Sequence, residues 1–227
     1  FILLGLFAMN RNGISGAMLQ MINHGVSTGA LFLLVGVIYD RRHTRMLDDF
    51  GGLAKVMPWY TLFFVVITMS SIGLPGTNGF VGEFMILAGS FFSRTPIGFG
   101  TSWLLMTLLA ATGVIFAAVY MLHAVLRMFW GKVVHAENES LSDLNRREIW
   151  SLVPLIVMVF WIGLYPKFFL DKMNPAVDSF VTDFTVRYYE GRRTAEPKLV
   201  DFEQLRKQLE EAGILAMAEP VREEAPR

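Results

Sequence analysis

Apolar positions in this 227-residue chain fall into long blocks separated by short polar punctuation. Uninterrupted apolar runs of about 18 residues or more mark membrane spans, because a soluble core needs no such length. The blocks cover residues 14–39, 58–93, 103–130 and 149–165, and residues 1–8 read as the end of a further span. "FILLGLFA" has no basic stretch before it and no small-residue cleavage site after it. It is therefore expected to continue an upstream span, in a C-terminal fragment, and not to be a signal peptide.

The block at 58–93 is too long for one straight helix. At 1.5 Å per residue it would reach about 54 Å, against a hydrocarbon layer of roughly 30 Å. Pro58 suits the first turn of a helix, and "GLPGTNG" at 73–79 supplies the interruption. Gly73, Pro75, Gly76 and Gly79 are the predicted break, with two half-helices of about 20 Å on either side.

From residue 169 the chain is polar. Asn174 as cap, Pro175 at the first helical position and apolar residues at helical spacing predict an interfacial helix over about 175–190, ended by Gly191. Asp201 caps a second amphipathic helix over about 201–212, with Glu203 placed to pair with Lys207. The expected fold class is thus an all-α polytopic membrane bundle over 1–168 with one discontinuous helix. A soluble amphipathic-helical tail follows over 169–227.

Composition narrows the function. Hydrophobic residues are 53% of the chain and charged residues 18%, below the roughly 25% of soluble domains. Zero formal net charge gives no attraction to nucleic acid. With no cysteine there is no thiolate metal site or cluster, and no dinucleotide fingerprint or haem ligand set appears. No cofactor, metal site or catalytic residue is expected on the chain itself. Arg41, Arg42, Arg45, Lys55, Lys132, Arg146 and Arg147 gather on one side of the predicted bundle, against Arg11 and Arg94 on the other. The richer side is expected in the cytoplasm or matrix and the tail on the opposite face.

Polar groups inside the spans carry the candidate chemistry. Gly16, Gln20, Asn23, His24, Ser27 and Thr28 recur at three- and four-residue spacing, forming one stripe on a helix. Small and polar residues also serve helix packing, which accounts for Gly16, Ser27 and Thr28. Gln20, Asn23 and His24 together near mid-span fit a hydrated path better. Glu83 follows the break closely and is expected in the first turn of the second half-helix, near its positive end. Broken backbone at membrane depth must be satisfied by protein or water. The break and the carboxylate then imply one wet niche, although a structural kink with Glu83 held in a salt bridge remains the alternative. Burial penalises the charged form of a carboxylate and of an imidazole alike, so proton loading and unloading suits such a niche. Tyr120, His123 and Arg127 lie near one end of their span, where they could line a water entrance or extend to the interface.

"MLQMINHGVSTGALFLLVGVIYDRRHTR", "FGGLAKVMP" and "SIGLPGTNGFVGEFMILAGSF" resemble the antiporter-like membrane subunits of proton-pumping respiratory complex I, NADH:quinone oxidoreductase. "YDRRHTR" and the glutamate in "FVGEF" point to the subunit M (subunit 4) group; in sister subunits a lysine is expected where Glu83 stands. The resemblance covers about residues 1–166 and says nothing of the stretch beyond about 193. It implies a bacterial cytoplasmic membrane location, other complex I membrane subunits and the lipid bilayer as partners, protons as the transported species, and flavin and iron–sulfur clusters on partner chains. Glu83 matches the acidic residue on the broken helix thought to release protons, and His24 the histidine thought to relay protons towards it. A subunit of a cation/proton antiporter or membrane-bound hydrogenase is the alternative within transport, and a non-translocating scaffold the alternative outside it.

Overall fold

The computed structural model describes residues 1–93, 102–133 and 135–195. Among these every regular element is helical: α1 (Ile2–Phe7), α2 (Arg11–Arg42), α3 (Leu53–Val56), α4 (Pro58–Ser71), α5 (Asn78–Phe91), α6 (Trp103–Phe129), α7 (Arg146–Leu164) and α8 (Lys167–Ala195), with single 3-10 turns at Leu47–Asp49 and Ala136–Asn138. α2, α6 and α7 are each long and apolar enough to cross a membrane. α4 and α5, at 14 residues each, are about 21 Å long, so neither crosses alone. The protein is an all-helical membrane protein.

The chain divides into two units between Val181 and Thr182. In the first, the largest apolar core lies between α2, α4, α6 and α7. Leu34 and Ile38 of α2, Tyr60 and Ile67 of α4, Phe129 of α6 and Val159 of α7 are all buried there. The Tyr60 hydroxyl donates to the Leu34 carbonyl at 3.1 Å, so the one polar atom of that ring is satisfied inside the core. In the second unit, the Phe184 and Tyr188 rings stack with centroids 5.8 Å apart.

α2 and α5 meet through small residues. A Cβ on Gly16 would stand 2.8 Å from Met85 Cβ and 2.9 Å from the Ile86 nitrogen. Gly89 likewise faces the Gly13 backbone too closely for any side chain. Such contacts let two backbones approach to packing distance where no hydrophobic drive brings membrane helices together.

Several boundaries differ from the sequence expectation. The tail helix starts at Lys167, not at a cap on Asn174, and passes Gly191 to end at Ala195. Pro175 is interior and costs one backbone hydrogen bond. The Asn174 side chain does not cap: its Oδ1 accepts from Ser15 Oγ at 2.9 Å, while Asp178 pairs with Arg11 at 2.9 Å. Contacts to the start of α2 thus engage the side chain expected to cap. α7 buries Leu152, Val159 and Ile162. The expected helix at 201–212 and Arg94 lie outside the described residues.

Candidate functional site

The break is built by backbone that only glycine adopts freely. α4 ends at Ser71, and Gly73 (φ +76°) and Gly76 (φ +91°) turn the chain in the left-handed region. Pro75 lies between them. Amides of the break are satisfied locally at Leu74, whose N–H donates to Met69 O at 3.0 Å, and at Thr77, whose N–H donates to Leu74 O at 3.1 Å. α5 then starts at Asn78. Gly79 presses on the Ser70 carbonyl, leaving no room for a Cβ, so the two half-helices touch at the interruption.

Glu83 is half-buried and sits two residues deeper in its helix than expected. No acidic residue occupies the first turn of α5, because the helix starts at Asn78 and Glu83 is its sixth residue. Helix-dipole stabilisation fades beyond the first turn, so that part of the expectation is withdrawn. Its carboxylate instead folds back against the break: a Cβ on Gly73 would stand 2.5 Å from Glu83 Oε2. Among the described residues no side chain donates a hydrogen bond to it, so the salt-bridge alternative finds no partner there.

Facing the break is the polar stripe of α2. The stripe from Gln20 to Thr28, with Ser70, Ser71 and Gly79, lines a cavity of about 60 Å³, several times the ~10–15 Å³ that one water needs. Asn23 is 1% exposed. Its Nδ2 donates to Asn78 O at 2.7 Å and to Gln20 Oε1 at 3.1 Å, while its Oδ1 has no protein partner. Gln20 in turn covers Gly82, next to Glu83. His24 stands at the edge of this group and is exposed, contrary to the expectation that it is buried. One residue on from Asn23 is about 100° further round the helix, which turns its ring away from α5. His24 Nδ1 lies 3.0 Å from Thr28 Oγ1.

The structure therefore gathers Gln20, Asn23, His24 and Gly79 of the break round one cavity, while Glu83 lies against Gly73, outside the cavity lining and not hydrogen-bonded to His24. Tyr120, His123 and Arg127 are not part of this group. All three are exposed on α6, and Arg127 forms an ion pair with Asp48. Asn78 and Ser70 were missed by sequence reasoning. "TNG" after the Pro75-Gly76 turn is a cap signature that marks Asn78 as a helix start, but nothing local shows that its side chain reaches α2.

Residues 1–109 match the family described as NADH:quinone oxidoreductase/Mrp antiporter, TM. The chain is 42% identical over 184 residues to NADH-quinone oxidoreductase subunit M of Rhodobacter capsulatus, covering 81% of this chain and 34% of that protein. It is 40% identical over 181 residues to NADH-ubiquinone oxidoreductase chain 4 of Marchantia polymorpha, covering 80% and 35%. It thus spans about a third of the length of these relatives. A chain of respiratory complex I from Thermus thermophilus with bound NADH superposes with a TM-score of 0.70 at 28% identity, covering 80% of this chain and 36% of that one. A chain of the Mrp complex from Dietzia sp. DQ12-45-1b shares the fold, with a TM-score of 0.65 at 19% identity, over 82% of this chain and 41% of that one.

Proposed function

We propose that the chain is a proton-translocating membrane subunit of an NADH:quinone oxidoreductase, a reading supported by the family match over residues 1–109 and by the likeness to subunit M. Glu83 is the proton carrier at the broken helix, and the α2 stripe with His24 forms the adjoining part of the path. Other membrane subunits of the complex are its partners, and the redox groups that drive it belong to partner chains. The basic end, with Arg41, Arg42 and Lys55, faces the cytoplasm, and the start of α8 lies at the opposite side.

One observation carries this reading. A carboxylate with no ionic partner among the described residues rests on the interruption of a membrane helix, and Gly79 of that interruption lines a polar cavity. Interrupted helices lining a wet niche are a recurrent means of placing an ion site near the bilayer midplane. An ionisable group there is costly unless it serves a path. Gly73, whose left-handed conformation disfavours a side chain and whose missing Cβ leaves the space that Glu83 Oε2 fills, gives the carboxylate its seat.

The test is Glu83→Gln in the full-length chain, assembled in its complex in sealed membrane vesicles. Glutamine keeps size and polarity but cannot hold an exchangeable acid proton. Protons moved per quinone reduced are expected to fall about tenfold or more while the assembled complex accumulates. An unchanged ratio overturns the reading and leaves a scaffold.

A further inference from the structure

Asn78, the first residue of α5, has a fully buried side chain, and its carboxamide joins three helix segments. Oδ1 accepts from the Ser70 hydroxyl in the last turn of α4. Nδ2 donates to Ser27 Oγ of α2 at 3.3 Å. The two serine oxygens lie 2.9 Å apart. One arrangement of the hydroxyl protons closes the circuit: Asn78 donates to Ser27, Ser27 to Ser70, and Ser70 back to Asn78. Outside the ring, the Asn78 carbonyl accepts from Asn23 Nδ2 at 2.7 Å. Hydrogen bonds joined head to tail in low dielectric reinforce one another, whereas a half-satisfied buried set is costly.

We infer that Asn78 is a positioning residue for proton transfer: its ring with Ser27 and Ser70 locks both half-helices onto α2 and thereby fixes where Glu83 delivers its carboxylate. This rests on Glu83 being the proton carrier. The ring is a clamp and not a relay. A carboxamide is not a titrating group, and both hydroxyl protons are committed to acceptors within the ring. Position matters because Glu83 springs from α5 while its carboxylate lies against Gly73, on the α4 side of the interruption. Any change in the separation or rotation of the two halves moves the carboxylate relative to its seat. The close approach of Gly79 to Ser70 sets the distance between the halves, and the ring adds the directional bonds that fix their rotation.

The experiment uses the full-length chain in its assembled complex in sealed vesicles, reading proton movement and quinone reduction together. Asn78→Ala is expected to lower protons moved per quinone reduced about tenfold, with quinone reduction and assembly kept. A merely structural defect would lower assembly and turnover and leave that ratio alone. Ser70→Ala, which removes one ring hydroxyl, is expected to share the loss, and Ser70→Thr, which keeps the hydroxyl, to retain the ratio. An unchanged ratio in assembled Asn78→Ala overturns the proposal, as does a loss that Ser70→Ala does not share. If Asn78→Ala does not accumulate, Ser70→Ala decides, an unaltered ratio again being fatal. Glu83→Gln measured alongside separates the two ideas. Pumping that survives it sinks the carrier, while pumping lost there and kept in the ring variants sinks only the clamp.

Discussion

Glu83 and Gly73 occupy the same space: the carboxylate of the first lies where the side chain of the second would be, 2.5 Å from an ideal Cβ. Gly73→Ala therefore does two things. It forces a side chain onto φ +76°, at a cost of about 1–2 kcal/mol, and it evicts the carboxylate. The expected outcome is a small loss of thermal stability and a fall of about tenfold in protons moved per quinone reduced. Gly76→Ala is the control. It has the same kind of backbone strain at φ +91°, but its Cβ would meet only Leu164 Cδ2, at 3.9 Å. It should lose similar stability and keep the proton ratio. Equal ratios in the two variants would show that the seat on Gly73 is irrelevant to transport.

The interruption was legible because length and glycine–proline content are local properties of residues 58–93. The α2 stripe was legible for the same reason, since helical spacing alone puts Gln20, Asn23 and Ser27 on one face. What spacing does not say is which edge of a stripe meets a neighbour. Asn23 turned inward and His24 outward although they are adjacent. α5 starts at Asn78, inside the expected interruption at 73–79, and the Asn78 side chain reaches Ser27, 51 residues away in sequence, which no local pattern reveals. α8 runs through its expected start, where Asn174 is engaged by Ser15 of α2 and Asp178 by Arg11.

The α2–α5 seam predicts unequal tolerance among the glycines of α2. A Cβ on Gly16 would meet Met85 and the Ile86 backbone nitrogen at 2.8–2.9 Å, and backbone cannot swing aside. Gly16→Ala should therefore destabilise the chain by about 1–3 kcal/mol through overpacking, read as a lower thermal midpoint of the complex. Gly29→Ala, whose Cβ meets nothing within 4 Å in this chain, should leave that midpoint unchanged. A seam that tolerates alanine at Gly16 would not be packed as described.

At the basic end, Arg41 spans α2 and α7. Its guanidinium donates to both Glu148 oxygens, at 2.9 and 2.8 Å, and to the Ser142 and Asp143 carbonyls, at 2.9 and 3.2 Å. Glu148 also accepts from the Asn145 amide at 2.8 Å, completing the capping box of α7. Arg41→Lys keeps the charge but not the planar fork. It is expected to cost about 1.5–3 kcal/mol. A double-mutant cycle of Arg41→Lys with Glu148→Gln should return an interaction energy of about 1 kcal/mol or more. Additive losses would mean that the two helices are joined elsewhere.

The start of α4 depends on a residue far along the chain. Pro58 has no N–H to satisfy, and Thr61 N–H donates to Met57 O at 3.0 Å. The two amides between them, Trp59 and Tyr60, donate to Asp143 Oδ2 and Oδ1 at 2.8 and 2.9 Å. All orphan donors of the first turn are thereby accounted for, and a carboxylate sits where the helix dipole favours it. Asp143→Ala removes this distant cap and should cost about 0.5–2 kcal/mol. Asp143→Asn, which leaves one acceptor oxygen, should cost less. Amide hydrogen exchange reports the site directly. Trp59 and Tyr60 are expected to exchange faster in Asp143→Ala, by about tenfold for each 1.4 kcal/mol of local protection lost, while Leu34 in the middle of α2 keeps its rate. Unaltered exchange at both tryptophan and tyrosine amides would mean that another acceptor closes the helix. The 84-residue reach from Trp59 to Asp143 would then have no part in holding the broken helix in place.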